Sequence, residues 1–290
     1  ELGDQRGMVV ALYELGTSAW YQGAYRASQQ ILEERLDISR EIGSRDGIAS
    51  SLMELGTVAW ALGDDRQAEE LHQEGLALYT EIDHQVGIAM SLSALGTDAC
   101  QMKAYGRARQ LFQKSLAICE EVDHLWGTGY ALFGLAWVAN EKGEYAQALQ
   151  LGQQSLALCE MLADPSLAAW AYTVLGTAAR ELGDLAGSRN RYGHALQTAA
   201  DMDALPSALH VLAGLAALMA AEGEGARSLE LLTLVLHHPA SWQITRNEAA
   251  ARIAALEAEL PPDVVAAARE RGRARRLEST LVELLEETCS

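Results

Sequence analysis

Side chains able to do covalent or acid–base chemistry are sparse in this sequence and do not cluster. The phosphate-binding pattern GxxxxGK[ST], the zinc pattern HExxH and a nucleophile elbow GxSxG in its required setting are all missing. His84 and His124 lie forty residues apart and His237 and His238 are adjacent, but their spacing supplies no converging set of metal ligands. We therefore interpret these histidines as structural, and predict no catalytic residue, no metal site, no cofactor and no enzymatic activity.

The cysteines are also interpreted as structural. Cys100, Cys119, Cys159 and Cys289 do not form a tight disulfide framework, and Cys119 and Cys159 are separated by forty residues within apolar helical sequence. Buried thiols of this kind are typical of a reducing compartment. We expect core thiols and a cytoplasmic location.

Aromatic residues show the clearest spacing of any group able to bind a ligand. Four of the six Trp and one of the two Phe belong to sets spaced near i, i+4, i+7, which is one face of a helix. Rings grouped on a surface mark binding sites more often than average surface does. The candidate ligand-binding residues are Tyr13, Thr17, Trp20, Tyr21, Trp60, Tyr130, Phe133, Trp137, Trp170 and Arg180.

A repeat of forty residues positions these sets. The marker Leu-Gly-Thr at residues 15–17 returns, intact or degraded, at residues 55–57, 95–97, 135–137, 175–177 and 215–217. A fixed period of this size is typical of a solenoid array. The predicted units cover residues 6–45, 46–85, 86–125, 126–165, 166–205 and 206–238, within an array at 1–239.

Each unit contains two helices joined by a tight turn. Leu12, Leu15 and Ala19 share one face of a first helix, and a second apolar stripe begins at Ile31. Between them Gly23 and its counterparts tolerate the positive φ that ends a helix.

A glycine also lies inside most first helices. Gly16 costs about 1 kcal/mol relative to Ala at such a position, so its recurrence needs a packing reason. We predict that the missing side chain lets the second helix approach closely, with Ser28 as the small residue facing it.

These residues resemble the tetratricopeptide repeat. The likeness rests on Leu-Gly in the first helix, Gly-x-Tyr at the turn (residues 23–25 and 143–145), and a small residue and Leu in the second helix. The usual unit has 34 residues. The longer unit is similar to the sensor arrays of bacterial signal-transduction ATPases of the STAND and NB-ARC type, such as the maltose-operon activator.

The resemblance implies an all-α, right-handed superhelical solenoid whose first helices line a concave groove. The candidate residues would then face that groove and bind a peptide, a partner protein or a small effector. The alternative is that their rings fill gaps between neighbouring first helices. Both interpretations are open on the sequence.

Residues 240–290 are predicted to form capping helices, because an array needs an atypical element to cover its last apolar face. The segment has a helix from Glu248, another opened by Pro261-Pro262 and a third from about Arg275. Its arginines form a possible docking patch for an acidic partner, or a solvated face of the cap: Arg269, Arg271, Arg273, Arg275 and Arg276.

Composition restricts the partners further. The formal net charge is −18 and the pI about 4.7, so nucleic acid is not an expected partner of the array. No apolar run is long enough to span a membrane and no signal-peptide pattern is present.

Residues 1–7 resemble the linker at residues 41–47, which suggests a fragment cut at a repeat boundary of a longer protein. Together with the closing segment, this favours a non-catalytic sensor module at the C-terminal end of a signalling ATPase or transcriptional regulator. Its partners would be proteins, peptides or other domains of the parent chain. A constitutive scaffold without a switch is the alternative.

Overall fold

A computed structural model describes residues 2–288, which form fifteen α-helices and no strand. The predicted all-α class is therefore confirmed. The chain divides into two compact units, one ending at Lys142 and the other beginning at Gly143.

The first unit contains seven helices. Their bounds are α1 Leu2–Tyr21, α2 Tyr25–Glu41, α3 Arg45–Leu62, α4 Asp65–Glu81, α5 Gln85–Gln101, α6 Tyr105–Glu121 and α7 Leu125–Glu141. The helices α1, α3, α5 and α7 are the predicted first helices and α2, α4 and α6 the second helices. Each second helix packs against the first helix of its own repeat and against the next first helix.

The second unit contains eight helices. Their bounds are α8 Tyr145–Leu162, α9 Pro165–Glu181, α10 Leu185–Asp201, α11 Leu205–Ala221, α12 Gly225–His237, α13 Gln243–Glu259, α14 Pro262–Ala274 and α15 Leu277–Thr288. Helix α8 packs on α9, α9 on α10, α10 on α11 and α11 on α12. The first helix of the cap, α13, begins at Gln243, five residues before the expected Glu248. Helices α13 and α14 pack on α12, and α15 packs on α10.

Side chains at helix starts fix the tight turns. Ser44 accepts a hydrogen bond from the backbone N–H of Gly47 at 3.1 Å. The ring nitrogen Nδ1 of His84 accepts from Gly87 N–H at 2.9 Å, and His124 caps α7 in the same way at 3.1 Å. The structural interpretation of these two histidines is confirmed.

The turns between paired helices carry the expected left-handed residue. Gly23 has a φ of 71° and Gly63 a φ of 82°. In the third repeat the position is occupied by Lys103, which adopts a φ of 58° without the help of glycine.

The glycine inside the first helix makes room for a large side chain of the second helix. A Cβ at Gly16 would lie 2.8 Å from Leu32 Cδ2, and one at Gly96 would lie 2.9 Å from Phe112 Cζ. Ser28 does face Gly16, but through its hydroxyl, which donates to the Gly16 carbonyl at 2.8 Å. The predicted close approach is thus confirmed, and the residue that fills the space lies one turn further along the second helix.

Residues 1–7 resemble residues 41–47 in sequence, but part of this segment differs in structure. Residues 2–4 belong to α1, whereas their counterparts at residues 42–44 form a turn. That turn is closed by hydrogen bonds to carbonyls of α2, for example from Ser44 N–H to Ser39 at 3.0 Å. Residues 2–4 have no such helix beside them within the described chain, and Glu1 lies outside it.

Three cysteines have the predicted packing. Cys100, Cys119 and Cys159 are buried free thiols, and burial raises the pKa of Cys159 to about 11. Cys289 lies outside the described residues. Among the helices of residues 2–288, none combines the length and apolarity needed to cross a membrane.

Candidate binding surface

Four aromatic rings follow one another along a single face of α7. Trp126 and Tyr130 are nearly parallel, with ring centroids 5.4 Å apart. Tyr130 lies 5.9 Å from Phe133, which lies 6.2 Å from Trp137. All four side chains are partly exposed. We call Trp126, Tyr130, Phe133 and Trp137 the α7 ring row.

Helix spacing explains this row. Its members fall at i, i+4, i+7 and i+11, which places them on one stripe of the helix. Tyr130 is tied to the neighbouring first helix, because its hydroxyl lies 3.3 Å from Thr97 Oγ1 on α5. Burial raises the pKa of the Tyr130 phenol, so the group remains a neutral hydrogen-bonding partner at physiological pH.

A second group of candidate residues lies on α1. Tyr13 is 39% exposed, and the Arg35 guanidinium lies 5.3 Å from its ring centroid in a cation–π contact. Trp20 and Tyr21 meet edge to face at 5.3 Å, and both are partly exposed, as is Thr17.

Arg35 joins this aromatic group to an acidic residue. Its Nη1 lies 3.0 Å from Glu54 Oε2, and it also donates to Ser50 and Ser51 at 3.0 Å each. Burial raises the pKa of Glu54 to about 7, although the Arg35 charge acts in the opposite direction. Glu54 therefore carries a partial charge near neutral pH.

Trp60 differs from the other candidates because only 9% of it is exposed. It lies on α3 and counts among the buried core residues of the first unit. The burial of Trp60 agrees with the alternative interpretation, in which the rings fill gaps between neighbouring first helices. The partly exposed rings of α1 and α7, in contrast, are accessible to a ligand.

Two candidate residues belong to the second unit. Trp170 is partly exposed on α9. Arg180, a candidate ligand-binding residue, pairs with Glu181 at 2.8 Å and has a side chain only 12% exposed. Its charge is thus already balanced within α9.

The arginines of the cap are mostly engaged inside the second unit. Arg271 and Arg275 both pair with Glu230, at 2.7 Å and 2.5 Å, and Arg269 pairs with Glu257. Burial favours a raised pKa for Glu230, but the hydrogen bonds from these two arginines outweigh it and hold the pKa below its usual value. Arg273 and Arg276 are exposed, so a docking role stays a prediction for them.

The sequence missed two members of the surface. Trp126 lies one turn before Tyr130 and could have been found by extending the i, i+4 spacing backwards. Arg35 could not, because it reaches Tyr13 and Glu54 from the second helix α2. The other repeats have small or apolar residues at its position, namely Gly75, Ser115, Ser155, Ala195 and Val235.

The surface offers ring faces, hydroxyls and carboxylates rather than a reaction centre. Such faces bind apolar or cationic groups. Within residues 2–288, no three metal-binding side chains are close enough together to hold an ion.

Comparison with solved structures finds the same fold in proteins of low sequence identity. A Rap protein complexed with competence and sporulation factor gives a TM-score of 0.66 at 12% identity, over 97% of this chain and 79% of that chain. The apo form of RapI gives 0.58 at 16% identity, over 86% and 85% of the two chains. Aspartyl phosphate phosphatase F from Bacillus subtilis gives 0.58 at 12% identity, over 88% and 70%.

At these identities the likeness shows the fold alone. No protein of curated function matches the sequence. The family model of the tetratricopeptide repeat matches residues 7–81 and 87–161, which is more than half of the chain. This chain therefore belongs to the tetratricopeptide repeat family.

Proposed function

We propose that this chain is a non-catalytic binding module that recognises an extended peptide or a helix of a partner protein on the first helices of its first unit. The observation that carries the proposal is the α7 ring row. Four rings in sequence, partly exposed and held in place by one helix, form a preorganised apolar surface. Ordering such rings at binding costs little because the helix and their mutual contacts already restrict them.

The chemistry of the surface favours an apolar segment with a cationic residue. The ring faces attract cations, and the formal charge of the chain is −18. Glu14 is exposed on α1 beside Tyr13, and Glu141 is exposed at the end of α7. A basic partner would be drawn to this surface and an acidic one repelled.

The solved relatives support a binding role in general terms. A Rap protein of the same fold was crystallised with competence and sporulation factor. One relative of the same fold is a phosphatase, so the fold alone does not exclude catalysis. The proposal of a non-catalytic module rests on the chemistry of the surface described above.

We further propose a sensor role within a larger cytoplasmic signalling protein. The buried thiols of Cys100, Cys119 and Cys159 fit a reducing compartment. A sensor requires that the ligand bind one arrangement of the domains more tightly than another. A scaffold would bind with the same affinity whether or not further domains are attached.

A random peptide display library provides the test of binding. We expect the wild-type chain to enrich a set of peptides, and Phe133→Ala or Trp137→Ala to weaken their binding by at least about tenfold. Neither ring is buried, so both variants should fold normally.

Tyr145→Ala is the matched control, since it removes a partly exposed ring of the second helix α8. It should leave peptide binding unchanged. If the library enriches no peptide, or if the enriched peptides bind all four proteins equally, the proposed surface is not the binding site.

A further inference from the structure

One stripe of α1 is exposed, although the same stripe is buried on every other first helix. Gly7, Ala11, Leu15 and Ser18 lie at i, i+4, i+8 and i+11, and all four are exposed. Their counterparts on α3, α5, α7, α9 and α11 are all buried. Leu15 is 57% exposed, whereas residues 55, 95, 135, 175 and 215 are between 0% and 8% exposed. We call Gly7, Ala11, Leu15 and Ser18 the α1 stripe.

The preceding second helix covers the equivalent stripe wherever the chain repeats it. In the first unit α3 packs on α2, α5 on α4 and α7 on α6; in the second unit α9 packs on α8 and α11 on α10. These five interfaces bury the same four positions.

The glycine of the stripe shows how closely the covering helix approaches. A Cβ at Gly47 would lie 3.0 Å from Ser39 Oγ, and one at Gly127 would lie 2.5 Å from Cys119 Sγ. At Gly87 the ring of Tyr79 occupies the corresponding space. A Cβ at Gly7 would meet no atom within 4 Å. The first repeat therefore has the same glycine, but no described side chain packs against it.

We propose that the α1 stripe is a docking face for an α-helix of the tetratricopeptide second-helix type, supplied from outside residues 2–288. This surface is distinct from the α7 ring row and needs a different partner. The stripe has no ionisable side chain, so an apolar helix can cover it without burying an unpaired charge.

The five existing interfaces specify the sequence of the occupant. Each covering helix carries a Leu, and in the first three interfaces the side chain three residues after it lies against the glycine at the first position of the stripe. The pairs are Leu36 with Ser39, Leu76 with Tyr79, Leu116 with Cys119, Leu156 with Cys159 and Leu196 with Ala199. The Leu contributes to covering the stripe, because Leu36 and Leu55 line the same small cavity between α2, α3 and α4. The partner helix should therefore carry Leu-x-x-Ser, Tyr, Cys or Ala on its docking face.

The full chain can be given such a helix in register. We would join a second copy of residues 46–84 directly to Gln5, so that His84 precedes Gln5 as it normally precedes Gln85. Amide hydrogen exchange of residues 7–18 should then slow by at least about tenfold relative to the original chain. Leu15→Asp should lower the melting temperature of the original chain by no more than about 2 °C, and that of the extended chain by clearly more.

Val10→Asp is the matched control on the same helix. Val10 is exposed, but it lies outside the stripe, at a position whose counterparts stay partly exposed on later first helices. Its effect should be the same in the original and the extended chain. Equal effects of Leu15→Asp in the two chains, or unchanged exchange of residues 7–18, would overturn the proposal.

Two further measurements cover the remaining outcomes. Sedimentation of the original chain should show a monomer; a dimer lost in Leu15→Asp but kept in Val10→Asp would assign the face to a second copy and overturn the proposal. If the extended chain does not fold, a labelled peptide of residues 65–84 is titrated into the original chain instead. Binding that Leu15→Asp removes supports the docking face, and no binding overturns it.

Discussion

The most unusual side-chain contact at the residue scale is a buried pair between α4 and α5. His72 Nδ1 lies 2.6 Å from Asp98 Oδ2, and both side chains are almost fully buried. Both stand at positions that are apolar in neighbouring repeats. The counterparts of His72 include Leu32 and Phe112, and those of Asp98 include Val58 and Val138.

The partners of His72 determine how many protons the pair holds. Its other ring nitrogen, Nε2, lies 3.2 Å from the carbonyl oxygen of Met53. A carbonyl and an ionised carboxylate only accept hydrogen bonds, and a neutral imidazole has a single donor. A neutral His72 beside an ionised Asp98 could therefore make only one of the two contacts a hydrogen bond. Both contacts are hydrogen bonds only if His72 and Asp98 together hold one more proton.

The environment of Asp98 favours retention of that proton. Burial is the largest influence and raises the pKa of its carboxyl, the hydrogen bond and charge of His72 oppose this, and the charges of Glu69 and Asp65 raise the pKa further. In the unfolded chain an Asp carboxyl is protonated only below about pH 3.9, whereas the folded Asp98 keeps its proton to a higher pH. The stabilisation from this shift is therefore fully present below about pH 3.9 and is lost as the pH rises through the folded pKa of Asp98.

We predict that replacing both residues removes this pH dependence. His72→Leu with Asp98→Val copies the residues of the first and second repeats, Leu32 and Val58, and avoids a buried charge. Urea unfolding at a series of pH values from about 4 upwards should show a free energy of unfolding that falls more steeply with rising pH in the wild type than in the double variant.

The single variant His72→Leu supplies the control. It leaves Asp98 buried beside an apolar residue, which should cost about 3–5 kcal/mol near neutral pH. An unchanged pH slope in the double variant would show that other groups, such as Glu54, dominate the titration.

A second prediction at the residue scale concerns the ring of Phe112. This fully buried ring lies between Gly96 on α5 and Gly134 on α7, and a Cβ at either glycine would be too close to it. Gly134→Ala should therefore destabilise the first unit by about 1–3 kcal/mol through overpacking. The free energy of unfolding in urea measures this loss.

Gly106→Ala is the matched control, because a Cβ at Gly106 in α6 would meet no atom within 4 Å. It should be neutral or stabilise the helix by up to about 1 kcal/mol. Phe112→Leu combined with Gly134→Ala should recover part of the loss, since the smaller side chain leaves space for the methyl group. If Gly134→Ala is as harmless as Gly106→Ala, the ring does not require the glycine.

At the scale of elements, the C-terminal helix α15 is held by apolar packing and by arginines. Leu277 and Leu284 are buried, and Arg275 donates to Glu283 Oε2 at 2.7 Å. Arg227 on α12 reaches the same carboxylate, Glu283 Oε1, at 2.9 Å. The hydrogen bond from Arg275 is the main reason why the pKa of Glu283 lies below its usual value.

The packing of α15 against α10 depends on a residue of α10 that differs from its counterparts in earlier repeats. Gly193 is buried, whereas the same position carries exposed Gln73, Gln113 and Gln153 in earlier repeats. A Cβ at Gly193 would lie 2.9 Å from Thr288 Cβ. The fifth repeat thus lacks a side chain on α10 where α15 lies against it.

We predict that Gly193→Gln displaces the end of α15. The variant should lower the free energy of unfolding by about 1–3 kcal/mol and speed amide exchange in residues 277–288. Asn190→Gln, an exposed substitution on the same helix, should change neither quantity. Full protection of α15 in Gly193→Gln would mean that the glycine is not needed for its docking.

At the scale of the whole molecule, the periodicity of the sequence was enough to predict the helix pairs, the turn glycines and the reason for Gly16. Each of these depends on spacing within one repeat. The surroundings of a repeated position were harder to predict. Trp60 is buried and Tyr13 exposed although both belong to the same aromatic stripe, and Arg35 joins the surface from a different helix. Such differences arise from neighbours in other repeats, which a forty-residue spacing does not identify.

Charge is the property that belongs to the molecule as a whole. With 40 acidic and 22 basic residues, the folded chain concentrates an excess of negative charge that the unfolded chain spreads over a larger volume. Salt screens this repulsion, since the Debye length falls from about 30 Å at 0.01 M to about 8 Å at 0.15 M. We predict that raising NaCl from about 0.01 M to 0.15 M increases the melting temperature. The partly exposed ion pairs oppose this trend only weakly, because such pairs contribute about 0–1 kcal/mol each. A melting temperature that falls with salt would show that attraction within networks such as Arg275 with Glu230 and Glu283 outweighs the general repulsion.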